Sequence, residues 1–151
     1  MRWIWRHRMQ SIKRTLSSLE RRLAGATAVA CVLILGAATA LSPDPRGFGT
    51  HEQWGLAPCW VQQRFNLPCP SCGMTTAFSH VVRGQLVAAF ASNAGGTALA
   101  LTTVVIGCYA TASWIAKRWV VTPPSWSVVL GLGTFIVTVT LLDWVRRVAG
   151  P

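Results

Sequence analysis

Charge is scarce in this chain: Asp, Glu, Lys and Arg make up 12% of 151 residues, and only four of them are acidic against fourteen basic. With 52% hydrophobic residues and a positive mean hydropathy, the chain is too apolar for an ordinary soluble domain and too short for two large ones. No internal repeat or low-complexity tract is present. The formal net charge of +10 does not form a nucleic-acid footprint, because Arg2, Arg6, Arg8, Lys13, Arg14, Arg21 and Arg22 all precede the first apolar run. That asymmetry suits the anionic lipids of an inner leaflet and excludes DNA or RNA as the natural partner.

Three stretches lack charge altogether: 23–41, 94–116 and 125–142. At about 1.5 Å per helical residue, nineteen residues cover about 28 Å, close to one hydrocarbon core. Pro123 and Pro124 suit a helix start, and Trp126 and Trp144 stand where interfacial aromatics belong. The expectation is an all-α integral membrane protein with three transmembrane helices. A basic cytoplasmic tail would occupy 1–22, an extracytoplasmic loop 42–93, a cytoplasmic loop 117–124 and a final tail 143–151. The positive-inside rule places the N-terminus in the cytoplasm: the seven early basic residues, Lys117 and Arg118 lie inside, against Arg46, Arg64, Arg83, Arg146 and Arg147 outside. This predicts a multi-pass membrane protein. Ala38-Thr39-Ala40 resembles a signal-peptide cleavage site, but the long basic region and long apolar run favour a retained span.

In the tail, Trp5, Met9, Ile12, Leu16, Leu19 and Leu23 recur at helical spacing, which predicts a basic amphipathic helix on the membrane surface. After Ser42-Pro43-Asp44-Pro45 the chain enters a loop rich in Pro and Gly that holds His51, Cys59, Cys69 and Cys72. A short helix is expected after Pro58, stopped at Asn66. A second, interfacial helix is expected to run from Gly73 to Val82 and end at Gly84. A third piece spans 85–91 and leads to Asn93, a good N-cap for the second long helix.

The run Cys69-Pro70-Ser71-Cys72-Gly73 carries the chemistry. In a zinc knuckle, the prolyl turn at Pro70 and the freedom of Gly73 let backbone N–H groups face the two sulfurs. In a redox motif, the first thiol sits at a helix N-terminus and the second resolves a mixed disulfide. Metal ligation would recruit Cys59, Cys69, Cys72 and His51, with zinc the natural ion, although the order His-x7-Cys-x9-Cys-x2-Cys is not a standard spacing. Redox catalysis would need only Cys69 and Cys72, yet no βαβ unit of the thioredoxin type surrounds them. A structural loop disulfide would leave one thiol over. Cys31 and Cys108 fall inside spans and read as small apolar residues, and Asp143 reads as the local partner of Arg146 and Arg147.

The segments Gly49-Thr50-His51-Glu52-Gln53, Pro58-Cys59 and Leu67 through Phe78, with Arg83-Gly84 and Asn93 downstream, resemble a family of bacterial membrane proteins catalogued as domain of unknown function 2752. The resemblance implies a multi-pass membrane protein marked by Cys69, Cys72, Gly73 and Thr75, with Cys59 as a further member, and implies no activity. Many relatives carry Arg after that threonine and Pro after the asparagine, where this chain has Thr76 and Ala94.

The leading expectation is a three-cysteine site that acts as a metal-holding or interaction module. A membrane thiol-disulfide oxidoreductase using Cys69 and Cys72 is the alternative, and a purely structural loop disulfide the third. A carrier or channel has little support, since no span holds an internal charge. Small faces at Gly36 and Ala40, and at Gly131 and Gly133, suit helix packing within the chain or in a homo-oligomer.

Overall fold

The computed structural model describes residues 15–150. Three of its helices are long and apolar enough to cross a bilayer: α1 (Ser18–Ala40), α5 (Ala94–Ala116) and α6 (Trp126–Ala149), with mean hydropathies of 2.1, 1.6 and 2.0 over their most apolar windows. Between α1 and α5 lie a 3₁₀ turn (Thr50–Trp54) and three short helices, α2 (Trp60–Phe65), α3 (Met74–Val81) and α4 (Leu86–Ser92). The architecture is all-α, with no strand among the described residues.

Helix α1 starts with a capping box. Ser17 Oγ accepts from the Glu20 backbone N–H at 3.3 Å, and the Ser17 N–H donates to Glu20 Oε2 at 2.8 Å, so orphan donors at the helix start are satisfied reciprocally. The start lies ahead of the charge-free stretch and takes Arg21 and Arg22 into the helix. Upstream, the Leu16 N–H donates to the Lys117 carbonyl at 3.1 Å, and Thr15 pairs with Arg118. Leu16 therefore lies outside the helix, which interrupts the amphipathic stripe read through it. The earlier members of that stripe, Trp5, Met9 and Ile12, lie outside the described residues.

Small side chains set the packing of the long helices. Helix α5 is central, with α1 on one side and α6 on the other. The buried face of α1 is Ala24, Ala28, Cys31 and Ala38, opposite Gly107 and Ala110 of α5. A Cβ on Gly107 would stand 3.0 Å from Cys31 Cβ, and one on Gly95 would overlap Thr140 of α6. Close backbone approach of this kind is how helices associate where lipid removes the usual hydrophobic drive. Most large apolar side chains of these helices point outward, among them Val29, Leu33, Val105, Ile115, Leu130 and Leu142, as expected of surfaces that face acyl chains.

The short helices α3 and α4 pack over the end where α1 finishes and α5 begins, and the chain before α3 meets the end of α6. Asn93 joins the last short helix to a long one, closing α4 and capping α5: its extended backbone turns the chain, and its Oδ1 accepts from the Gly96 N–H at 2.6 Å. Arg83 and Ser79 of the α3 region bind the last carbonyls of α1. Arg83 donates to Ala38 at 3.2 Å and Thr39 at 3.0 Å, and the Ser79 hydroxyl donates to Leu41 at 2.5 Å. A guanidinium at a helix C-terminus satisfies orphan carbonyls and complements the dipole. The loop folds back by a buried Thr50–Thr76 hydroxyl pair at 2.8 Å.

Candidate functional site

Two segments bring three sulfurs together. Cys59 is the N-cap of α2, and Cys69 and Cys72 lie in the turn that precedes α3. The turn closes through the Cys72 N–H to the Cys69 carbonyl at 3.1 Å. Gly73 then ends it with φ +85°, a left-handed conformation that glycine adopts without a Cβ penalty. Space makes the same demand: a Cβ on Gly73 would lie 2.5 Å from the Ser92 carbonyl oxygen and 2.7 Å from that of Gly47. The result is a set in which the sulfurs of Cys59, Cys69 and Cys72 all lie within 4.8 Å of one another.

The Cys69–Cys72 pair is the tightest part. Its sulfurs are 2.9 Å apart and not bonded to each other. Cys69 Sγ also lies 3.2 Å from Ser71 Oγ, whereas Cys72 Sγ faces the Gln62 side-chain oxygen at 3.9 Å and receives the Cys69 N–H at 3.2 Å. These surroundings split the two thiols. Burial opposes ionisation of Cys69, but hydrogen bonds from Cys72, Ser71 and Cys59 outweigh it and bring that thiol down to about 7. Burial and the shared hydrogen bond with Cys69 push Cys72 up to about 12. Of the two, Cys69 is therefore the thiol that ionises first, while Cys72 keeps its proton.

The turn is fixed from a distance. Asn93 Nδ2 donates to the carbonyls of Pro70 and Cys72, both at 3.0 Å. Arg147, near the end of α6, donates to the same two carbonyls at 3.3 and 3.0 Å, and the Trp144 indole N–H donates to Pro68 at 2.8 Å. Asp143, 6% exposed, orients the cations. Arg146 binds its Oδ1 at 2.8 Å, and Arg147 Nε lies 3.0 Å from Oδ2, close enough for an ion pair though off the hydrogen-bond axis. The local pairing expected for Asp143 is present, and it also anchors the cysteine turn.

The remaining sequence candidates take different places. His51 lines the same cavity as the cysteines, about 400 Å³ in volume, but its Nε2 lies 3.3 Å from the Ala57 carbonyl and the ring is not in the sulfur cluster. Thr75 is exposed on the first turn of α3 and lines this cavity too, while Thr76 is buried against Thr50. Pro70 supplies a carbonyl that both Asn93 and Arg147 bind. Cys31 is buried on α1 and Cys108 is exposed on α5, within helices that the site does not use. Trp144 and Arg147 were not among the sequence candidates. Their types and position match an interfacial belt, and no local pattern reveals a partner more than seventy residues away.

What this arrangement can do follows from the sulfurs. Three thiolates fill three corners of a tetrahedral zinc or other soft-metal site, with His51 and Glu52 on the same cavity wall. A low-pKa thiolate touching a protonated thiol is also the arrangement of a nucleophile and its resolving partner. No curated protein and no solved structure gives a match to this chain. Residues 59–107, which hold all three clustered cysteines and the first half of α5, match the model of the family described as Protein of unknown function (DUF2752), and through that segment the chain resembles the family.

Proposed function

We propose that the chain is a membrane thiol-disulfide exchange protein that works through Cys69 and Cys72. The carrying observation is the 2.9 Å contact between their sulfurs. Two thiols in direct contact can close on each other with little more than a side-chain rotation, which exchange chemistry requires. In the proposed reaction the Cys69 thiolate attacks a substrate disulfide, forms a mixed disulfide and expels one substrate thiolate. Cys72 loses its proton and attacks the Cys69 sulfur, which forms the Cys69–Cys72 bond and releases the second thiolate. The substrate gains two electrons and this pair loses them, and the reverse direction oxidises a dithiol. Trapping free thiols with an alkylating agent across a series of glutathione ratios tests the reading. Reversible two-electron formation of a Cys69–Cys72 disulfide supports it, and thiols that stay free under diamide sink it.

A second reading rests on Cys59. Its convergence on the pair supports a soft-metal site of Cys59, Cys69 and Cys72, with zinc the ion suited to that donor set. Stoichiometric zinc in reduced, purified protein, lost in Cys59→Ser, would favour this reading over exchange chemistry.

For location, the distribution of Lys and Arg supports a cytoplasmic N-terminus in a bacterial inner membrane, which sets the cysteine cavity on the extracytoplasmic side. An impermeant thiol reagent applied to intact cells tests that placement.

A further inference from the structure

Next to the cysteine cavity lies a second one of about 340 Å³, and the two share a wall made of Met74 and Thr75. The second cavity is apolar elsewhere, lined among others by Ile34, Leu41, Trp54, Phe78 and Leu99. Its volume falls within the range of small-molecule sites. Ile34 stands six residues before the end of α1, about 9 Å along the helix, so the cavity runs from the cysteine end into the depth of the span.

One polar group stands out on this wall. Threonines of the long helices turn their hydroxyls onto carbonyls of the preceding turn, as Thr97, Thr102, Thr103 and Thr140 do. Thr75 is exposed and makes no hydrogen bond among the described residues. An apolar slot that reaches along the span and shares a wall with a thiol pair, with an exposed hydroxyl on that wall, points to an apolar ligand with an oxygen that accepts a hydrogen bond and takes up electrons.

Resting on the thiol-exchange reading above, we infer that the apolar cavity binds a membrane quinone, with one quinone oxygen at the Thr75 hydroxyl, as the electron acceptor for the Cys69–Cys72 dithiol. One S–S bond forms between the Cys69 thiolate and Cys72 as the Cys72 S–H breaks, and two electrons pass to the quinone, whose oxygens take the Cys72 proton and one proton from water, the one Cys69 gave up on ionising, to give the hydroquinone. Cys69 and Cys72 are oxidised and the quinone is reduced, so the chain would serve to oxidise dithiols. Thr75 would stabilise the negative charge that grows on the quinone oxygen.

The test uses the full chain in nanodiscs, fully reduced, mixed with ubiquinone-1, with hydroquinone followed by absorbance and thiols by alkylation. Expected is saturable reduction of one quinone per protein with loss of two thiols. Thr75→Val should slow it by about tenfold or more, Thr75→Ser should restore most of the rate, and Leu41→Trp should abolish saturation by filling the cavity. Ile34→Trp fills the same cavity from a position 49% exposed and replaces Leu41→Trp if that variant does not fold. Diamide separates the two failures. If diamide forms the Cys69–Cys72 disulfide but ubiquinone-1 does not, or does so at equal rates in Thr75→Val and the filled variants, the cavity holds only lipid and the quinone inference is overturned. If diamide fails as well, the thiol-exchange reading falls with it.

Discussion

The turn that carries Cys69 and Cys72 and the short helix that carries Cys59 form one sulfur cluster, yet they are held in opposite ways. The turn has carbonyls at Pro68, Pro70 and Cys72 bound by Trp144, Asn93 and Arg147, and its last residue, Gly73, is wedged against two backbone oxygens. Helix α2 has no buried residue, packs against no other helix among the described residues, and stops after six residues at a left-handed Asn66. Stability is therefore unevenly distributed across the site. The Cys69–Cys72 pair is pre-set by distant parts of the chain, whereas Cys59 rides on an element with little to prevent it from moving. For thiol exchange that division is useful, because the reacting pair keeps its geometry while the third sulfur can approach or withdraw.

Breaking the fixed half should have the largest effect. Gly73→Ala places a Cβ at 2.5 Å from the Ser92 oxygen in a backbone with φ +85°. The left-handed conformation alone costs about 1–2 kcal/mol, and the overlap adds to it. The expected outcome is loss of the folded cysteine end, read as a large fall in thermal midpoint and full exposure of Cys72 to alkylation. Asn93→Ala comes next. It removes the cap of α5 and two donors to the turn, and a lost cap plus two lost hydrogen bonds to carbonyls that Arg147 still binds should cost about 3 kcal/mol. Chemical denaturation in detergent would measure it.

Arg147 tests the clamp with less damage to the fold. Arg147→Gln keeps some reach but loses the fork that spans the Pro70 and Cys72 carbonyls and the ion pair with Asp143. The expected loss is about 1–3 kcal/mol, since the Asp143 carboxylate keeps Arg146. Alkylation of Cys72 should accelerate more than that of Cys59, because only the turn is released. Equal acceleration of both thiols would show that the two halves of the site are not separately held.

Much of the fold and of the cysteine cluster was legible in the sequence, and how firmly each half is held was not. Charge-free stretches marked the three long helices, since burying or lipidating a charge is costly whatever the fold. Asn93 before an apolar run and Gly73 after the cysteines announced their helix-end roles through local backbone chemistry. The nearness of Cys59 to the later pair followed from a short helix stopped at Asn66. The support for the turn was not readable. It comes from Trp144 and Arg147, whose partners are set by how α6 lies against α5, and that follows from small residues such as Gly95 rather than from any motif. The capping box Ser17-x-x-Glu20 was a missed local signal, hidden by reading the basic tail as one continuous stripe.

The smallest effect concerns the loose half. In the wild type, the alkylation rate of Cys69 should rise with pH through a midpoint near 7 rather than 9, because the thiolate is the reacting form and its population grows as pH passes that value. Burial works against ionisation, and the hydrogen bonds from Cys72, Ser71 and Cys59, in that order, work for it. Cys59→Ala removes the weakest of the three side-chain bonds, so the midpoint should move upward by less than in Ser71→Ala, while formation of the Cys69–Cys72 disulfide persists. A midpoint that rises as far as the ordinary thiol value in Cys59→Ala would mean that Cys59 is held as firmly as the turn and that the three sulfurs act as one rigid unit. Such a result would shift the balance toward the metal site, which needs three fixed donors, and away from a fixed pair with a mobile third thiol.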